Sequence, residues 1–268
     1  MNNHPIGILD SGVGGLTVLQ AIVQELLHES FIYIGDSYNT PYGAKSEEEI
    51  YQLSKQLVEF LLKKNVKLIV IACNTITVSC LNRLRDDYPH VPLVGTVPVI
   101  KTAAQVSKNK RIGILSTTRT AQSAYQKHLI EEFANGCTVF NHGTDELVPL
   151  IEEGKMNSPE MATVLREVLI PFGNEHIDTL ALGCTHFPFL KEQIQEDLGA
   201  EVQLLDSGGA IARQVKRVLQ QNNALFAESD GKVAIYTTGN MHIAKNLVQN
   251  ILHTKDVTVQ EVRLGDDN

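Results

Sequence analysis

The stretch Leu68-Ile69-Val70-Ile71-Ala72-Cys73-Asn74-Thr75 decides the fold class. Five apolar residues run without alternation and end abruptly in a thiol and two small polar side chains. A strand buried on both faces reads this way, because a parallel sheet covered by helices leaves no face for polar residues. The run is far too short to cross a bilayer. A second stretch repeats the pattern downstream, where Leu182-Gly183 leads into Cys184-Thr185-His186. Each Cys thus follows a buried strand and precedes a helix-like segment. In open α/β sheets, ligands bind outside the carboxyl ends of the strands.

Outward from these two runs the same alternation continues. Further strands are read at 6–9, 31–34, 93–95, 111–115, 138–141, 202–205 and 233–236, beside those at 68–72 and 179–183. The clearest helix opens at Ser46, where Glu49 three residues on completes a capping box. Ile50, Leu53, Leu57, Leu61 and Lys64 follow at helical spacing, and Lys63 and Lys64 suit the negative end of the dipole. Another helix follows Pro188 through Leu190 and Ile194 to Leu198, with Gly199 as its stop. Strands alternating with helices give an α/β fold. An internal echo adds to this. Leu9-Asp10-Ser11-Gly12 returns as Leu205-Asp206-Ser207-Gly208. The order of the two echoes is reversed between halves, so they indicate two similar units facing each other rather than a tandem duplication.

Composition bounds the function. The chain has 268 residues, one large domain or two modest ones, with 43% hydrophobic and 20% charged residues. Lys and Arg number 23 against 31 Asp and Glu, a formal charge of −8. A charge of that sign argues against nonspecific binding to nucleic acid or an anionic membrane. Four Cys are too few for a disulfide scaffold. No signal-like apolar core stands near the first residues. The expectation is a soluble, reduced, cytoplasmic protein.

Cys73 and Cys184 carry the chemistry in this reading. A Cys at a helix N-terminus is favoured as thiolate. A small buried hydrophobe is the plainer reading of any free Cys, but a core position does not need Asn74, Thr75, Thr185 and His186 beside it. Cys80 and Cys137 lack such neighbours and are read as structural. The spacing of Cys73 and Cys80 fits no common zinc pattern, so no metal is expected. Two thiols on opposed units suit a stereocentre that loses a proton from one face and regains it on the other. Asp10 is the candidate proton partner of Cys73, and His186 and Glu152 of Cys184.

Asp10-Ser-Gly-Val-Gly-Gly15 follows the first strand. It fails the dinucleotide fingerprint because the third glycine position holds Thr17. It reads either as a loop whose backbone N–H groups meet a small anion, or as a turn needing φ > 0. Pro41-Tyr42-Gly43 is a loop, of interest if it covers a pocket. Ser116-Thr-Thr-Arg-Thr120 offers hydroxyls to a carboxylate or caps a helix.

Together these residues resemble the bacterial glutamate racemases that use no pyridoxal phosphate. The resemblance runs nearly end to end through Ile8–Val18, Tyr33-Ile-Gly-Asp36, Pro41-Tyr-Gly43, Ile71–Thr75, Val91–Gly95, Leu182–Pro188 and Leu205–Gly209. It implies two three-layer α/β domains with mostly parallel sheets, related by a pseudo-twofold, with the site in the cleft between them. The first domain would be discontinuous, 1–96 and 208–268, and the second would span 97–207. The resemblance further implies that Cys73 acts on D-glutamate and Cys184 on L-glutamate, without a cofactor. Asp10, Ser11, Tyr42, Gly43, Asn74, Thr75, Thr117, Thr120, Thr185 and His186 would line the glutamate site. D-glutamate would feed peptidoglycan synthesis, and the protein would be a homodimer. The chain departs from common members at Thr96-Val-Pro-Val-Ile-Lys101 and at Arg119. Its stretch Asn141–Pro149 resembles a branch activated by a cell-wall precursor. Other readings of the same residues are an aspartate racemase, a silent amino-acid-binding protein and a NAD-type oxidoreductase.

Overall fold

The computed structural model describes residues 3–96, 99–226, 231–252 and 256–265. Val97 and Pro98, in the departure at 96–101, lie outside the described residues. Among these described residues, ten strands form two sheets. They are β1 (Ile6–Asp10), β2 (Phe31–Gly35), β3 (Leu68–Ile71), β4 (Leu93–Gly95), β5 (Arg111–Ser116), β6 (Thr138–Gly143), β7 (Thr179–Gly183), β8 (Gln203–Leu205), β9 (Val233–Thr237) and β10 (Val257–Glu261). The larger sheet has the order β10-β9-β2-β1-β3-β4 and the smaller β6-β5-β7-β8. Every pairing is parallel. The chain therefore has two parallel-sheet α/β domains.

The continuous apolar runs account for this. β1, β3 and β7 are buried at every residue, so helices cover both faces of each. One apolar cluster joins the sheets, linking Ile6, Ile8 and Val70 to Leu182, Phe187 and Ile151. Two further clusters fill the outer faces, one under the helix Glu47–Lys63 and one under Ile100–Val106. The larger sheet takes strands from both ends of the chain. The helix Gly208–Gln221 returns to lie on Leu16–Glu25. Gly208 permits the approach, since a Cβ there would stand 3.1 Å from that of Ala21.

Local readings hold with instructive exceptions. Ser46 and Glu49 form the capping box of Glu47–Lys63, with Glu49 N–H donating to the Ser46 hydroxyl and Ser46 N–H donating to the Glu49 carboxylate. Ile50, Leu57 and Leu61 are buried there, but Leu53 is only partly covered and Lys64 follows the last helical residue. Pro188 sits in a 3₁₀ turn, Phe187–Leu190, before the helix Lys191–Leu198. Gly199 ends that helix at φ +92°. The strand β10 is absent from the sequence reading. Val257-Thr-Val-Gln-Glu261 alternates and stays half exposed at the sheet edge, so it lacks the apolar run that marks central strands.

Candidate active site

The parallel topology puts the carboxyl ends of β1, β3 and β7 at one cleft. Asp10 is the last residue of β1, Cys73 lies two residues past β3, and Cys184 directly follows β7. The cleft is narrow and is lined by both thiols, with Ser11, Pro41, Tyr42, Gly43, Asn74, Thr75, Thr117, Val148, Thr185 and His186. Larger surface hollows exist, one of them around His4 and Tyr88, but none of those described holds a strand-end thiol.

Cys73 is 4% exposed and forms the N-cap residue of the helix Asn74–Asp87. The Ser11 hydroxyl lies 3.4 Å from its sulfur. Burial, then the Asp10 charge, push this thiol up to about 12 despite the Ser11 contact. The expected helix-dipole preference for thiolate is overruled here: desolvation of a buried sulfur outweighs the partial charge of a helix end. Cys73 rests as a thiol.

The Cys184 side is built differently. His186 Nδ1 stands 3.8 Å from Cys184 Sγ, and His186 Nε2 stands 2.6 Å from Glu152 Oε1. Burial by itself lowers His186, but Cys184 and Glu152 together hold it well above the ordinary histidine value. Glu152 ends the helix Leu147–Glu152 of the second domain. Its Oε1 also accepts from the Val13 N–H of the first, at 2.7 Å.

The glycine turn works in a way neither sequence reading anticipated. Gly12, Gly14 and Gly15 are not among the residues with positive φ. Space explains them. A Cβ on Gly12 would lie 1.8 Å from Glu152 Oε1, and one on Gly14 2.3 Å from His186 Nδ1. The turn's N–H groups do meet anions, but these are the protein's own carboxylates. Gly12 and Gly15 donate to Asp10 Oδ2 at 3.2 and 2.9 Å, and Val13 donates to Glu152. Asp10 is fully buried, and Thr185 Oγ1 lies 3.3 Å from its Oδ1. Burial raises its carboxyl to about 6 against the pull of His186.

The remaining candidates divide into walls and supports. Ser11, Tyr42, Gly43, Asn74, Thr75, Thr117, Thr185 and His186 line the cleft, whereas Asp10, Glu152 and Thr120 stand behind it. Tyr42 is 2% exposed, so its loop is a wall and not a surface tip. Thr117 is both a helix cap and a wall of the cleft. It caps Thr118–Gln122 by accepting from Thr120 N–H, and its hydroxyl lies 2.9 Å from that of Thr75. Thr120 reaches Thr117 at 3.0 Å rather than the cleft. Sequence reasoning missed Val148 as a wall residue. Its spacing of four from Glu152 on one helix was the available signal.

Comparison with known proteins bears on the family and the fold. Residues 6–215 match the family model for Asp/Glu/Hydantoin racemase. The glutamate racemase of Pseudomonas aeruginosa is 42% identical over 233 residues, 87% of this chain and 88% of that one. A glutamate racemase isoform from Bacillus anthracis superposes with a TM-score of 0.86 at 32% identity, covering 98% and 99% of the two chains. The Escherichia coli glutamate racemase in complex with L-glutamate and the activator UDP-MurNAc-ala superposes with a TM-score of 0.83 at 32% identity, covering 97% and 99%. With two strand-end thiols facing one cleft between two parallel-sheet domains, the chain belongs to the Asp/Glu/Hydantoin racemase family and stands among its glutamate racemases.

Proposed function

We propose that the protein interconverts L- and D-glutamate by a two-base proton transfer at Cα, without a cofactor. The observation that carries this is the pair of buried thiols, Cys73 and Cys184, contributed by opposite domains to a single polar cleft. A thiolate on one side takes the Cα proton and becomes a thiol. The electron pair left on Cα delocalises into the substrate carboxylate. The thiol on the other side then donates its proton to the opposite face and becomes the thiolate. Reversal exchanges the roles, so each Cys must be both acid and base.

Cys73 serves the face of D-glutamate and Cys184 that of L-glutamate. Asp10 exchanges a proton with Cys73, and the His186–Glu152 pair does so with Cys184. Ser11, Tyr42, Gly43, Asn74, Thr75, Thr117 and Thr185 hold the substrate, with Thr120 steadying Thr117. Backbone amides and hydroxyls can bind an anionic substrate against a net negative charge. The D-glutamate supplies peptidoglycan synthesis. The protein acts in the cytoplasm as a homodimer, with 1–96 and 208–268 as one domain and 97–207 as the other. A nucleotide-linked cell-wall precursor is the candidate activator. No helix among the described residues is long and apolar enough to cross a membrane.

Incubation of L-glutamate in D₂O, with and without that precursor, tests the reading. D-glutamate carrying deuterium at Cα is expected, and no exchange in either direction would sink it. Cys73→Ala and Cys184→Ala should each lower racemisation by at least about 10³-fold, the scale of losing a general acid/base. The same incubation with aspartate separates the neighbouring specificity.

A further inference from the structure

Asp36 touches neither thiol, yet it is fully buried at the end of β2, in the segment leading to the Pro41-Tyr42-Gly43 wall. Its carboxylate is saturated. Tyr42 OH donates to Oδ2 at 2.7 Å, Thr238 Oγ1 donates to Oδ1 at 2.7 Å, and Asn39 Nδ2 lies 3.1 and 3.0 Å from the two oxygens. Thr238 belongs to the turn after β9, reached only when the chain returns to the larger sheet. Its hydroxyl also accepts from Tyr38 N–H at 3.0 Å. A Cβ on the next residue, Gly239, would fall 2.5 Å from that of Ser37, so the returning turn lies directly on this segment.

We propose that Asp36 is a positioning residue for the substrate wall, holding Tyr42 and Gly43 in place through a clamp completed by Thr238. Thr40 Oγ1 donates to the Ser11 carbonyl at 2.5 Å, which fixes the wall's near side to the residue beside Cys73. Beyond Tyr42 the 3₁₀ turn Tyr42–Ala44 rests on the helices Asn74–Asp87 and Thr118–Gln122, one from each domain. The Tyr42 hydroxyl, buried and a standing donor, is what ties this turn to the larger sheet. A segment some 200 residues downstream thereby sets the width of the cleft.

The inference rests on the racemase reading above, and its test separates the two. Thr238 is half-buried and away from the cores, so Thr238→Val is compatible with folding. We expect Thr238→Val to raise KM for both glutamate enantiomers about tenfold, the scale of one hydrogen bond to a charged group, with kcat changed less than twofold. Thr238→Ser should restore KM. Tyr42→Phe should raise KM similarly, and the double variant Thr238→Val with Tyr42→Phe should be no worse than either alone. Amide hydrogen exchange in residues 36–45 should speed at least tenfold in Thr238→Val. A merely structural role would lower kcat with the active fraction and leave KM alone. That result, additive effects, or unchanged exchange would overturn the clamp. Exchange that speeds in a protein showing no racemisation would uphold the clamp and refute the racemase reading instead.

Discussion

At the residue scale, environment gives similar groups different work. Cys73 and Cys184 occupy matching places in the sequence, but only Cys184 has a histidine at hydrogen-bond distance, backed by a carboxylate. Cys73 has a hydroxyl neighbour and a buried carboxyl group behind it. Asp10, raised from 3.8 to about 6 chiefly by burial, gives a pH signature with a definite sign. A carboxyl whose folded value is raised binds its proton more tightly in the native state. Its contribution to stability is therefore present below pH ~4 and lost as pH rises through ~6. Asp10→Asn keeps an oxygen for the Gly12 and Gly15 amides. It should match the native protein near pH 4 and gain up to about 3 kcal/mol by pH 8. Urea denaturation of both proteins across that range checks this, and a pH-independent difference would refute it.

Among the elements, the turn Ser11–Gly15 matters most. From sequence it is a glycine-rich strand-to-helix turn, read either as a loop whose N–H groups meet a small anion or as a turn needing φ > 0. In the structure Gly12 and Gly14 leave room for Glu152 and His186, which arrive from the other domain, and Gly15 leaves room for Asp10 and Tyr33. Gly12→Ala should keep the fold, as its backbone is ordinary, while forcing Glu152 away from Val13 and His186. A fall in kcat of about 10²-fold is expected, the scale of an acid/base partner displaced by about 1 Å. The check is racemase kinetics alongside an unchanged circular dichroism spectrum. The capping box of Glu47–Lys63 is a local hydrogen-bond pattern that sequence encodes directly. β10 takes β9 as its one strand partner at the sheet edge, and that partner is not written into Val257–Glu261 itself.

Over the whole molecule, the returning chain is tied to the larger sheet at two levels. Thr238 ties it at the cleft, and a buried ion pair ties it at the opposite strand ends. Lys67 Nζ lies 2.6 Å from Glu29 Oε2, with both side chains at most 2% exposed, and it also donates to the Ala224 carbonyl at 2.8 Å. Glu29 Oε1 accepts from Phe226 N–H at 2.9 Å. Removing one partner of a buried pair leaves the other charge uncompensated. Lys67→Met should thus cost about 3–5 kcal/mol in urea denaturation while leaving KM for glutamate unchanged in the folded fraction. A loss below about 1 kcal/mol would mean that water or another group relieves Glu29.

The parallel α/β class, the central strands, the capped helix and the placing of both thiols at strand ends are legible in the linear sequence. Each of these depends on hydrophobic runs or on hydrogen bonds within a few residues. It also marked Asp10 and Asp206 as equivalent, and locally they are. Each carboxylate accepts the N–H two residues on, from Gly12 and from Gly208. Only the tertiary structure separated them. Asp10 is buried behind the cleft, and Asp206 pairs with Lys191 at the surface. Tertiary structure likewise set the burial that raises the Cys73 thiol, the backing of His186 by Glu152, and the need for Gly12 and Gly14 to leave room for both. Those outcomes depend on desolvation and on contacts across the domain interface, which no local stretch of sequence contains.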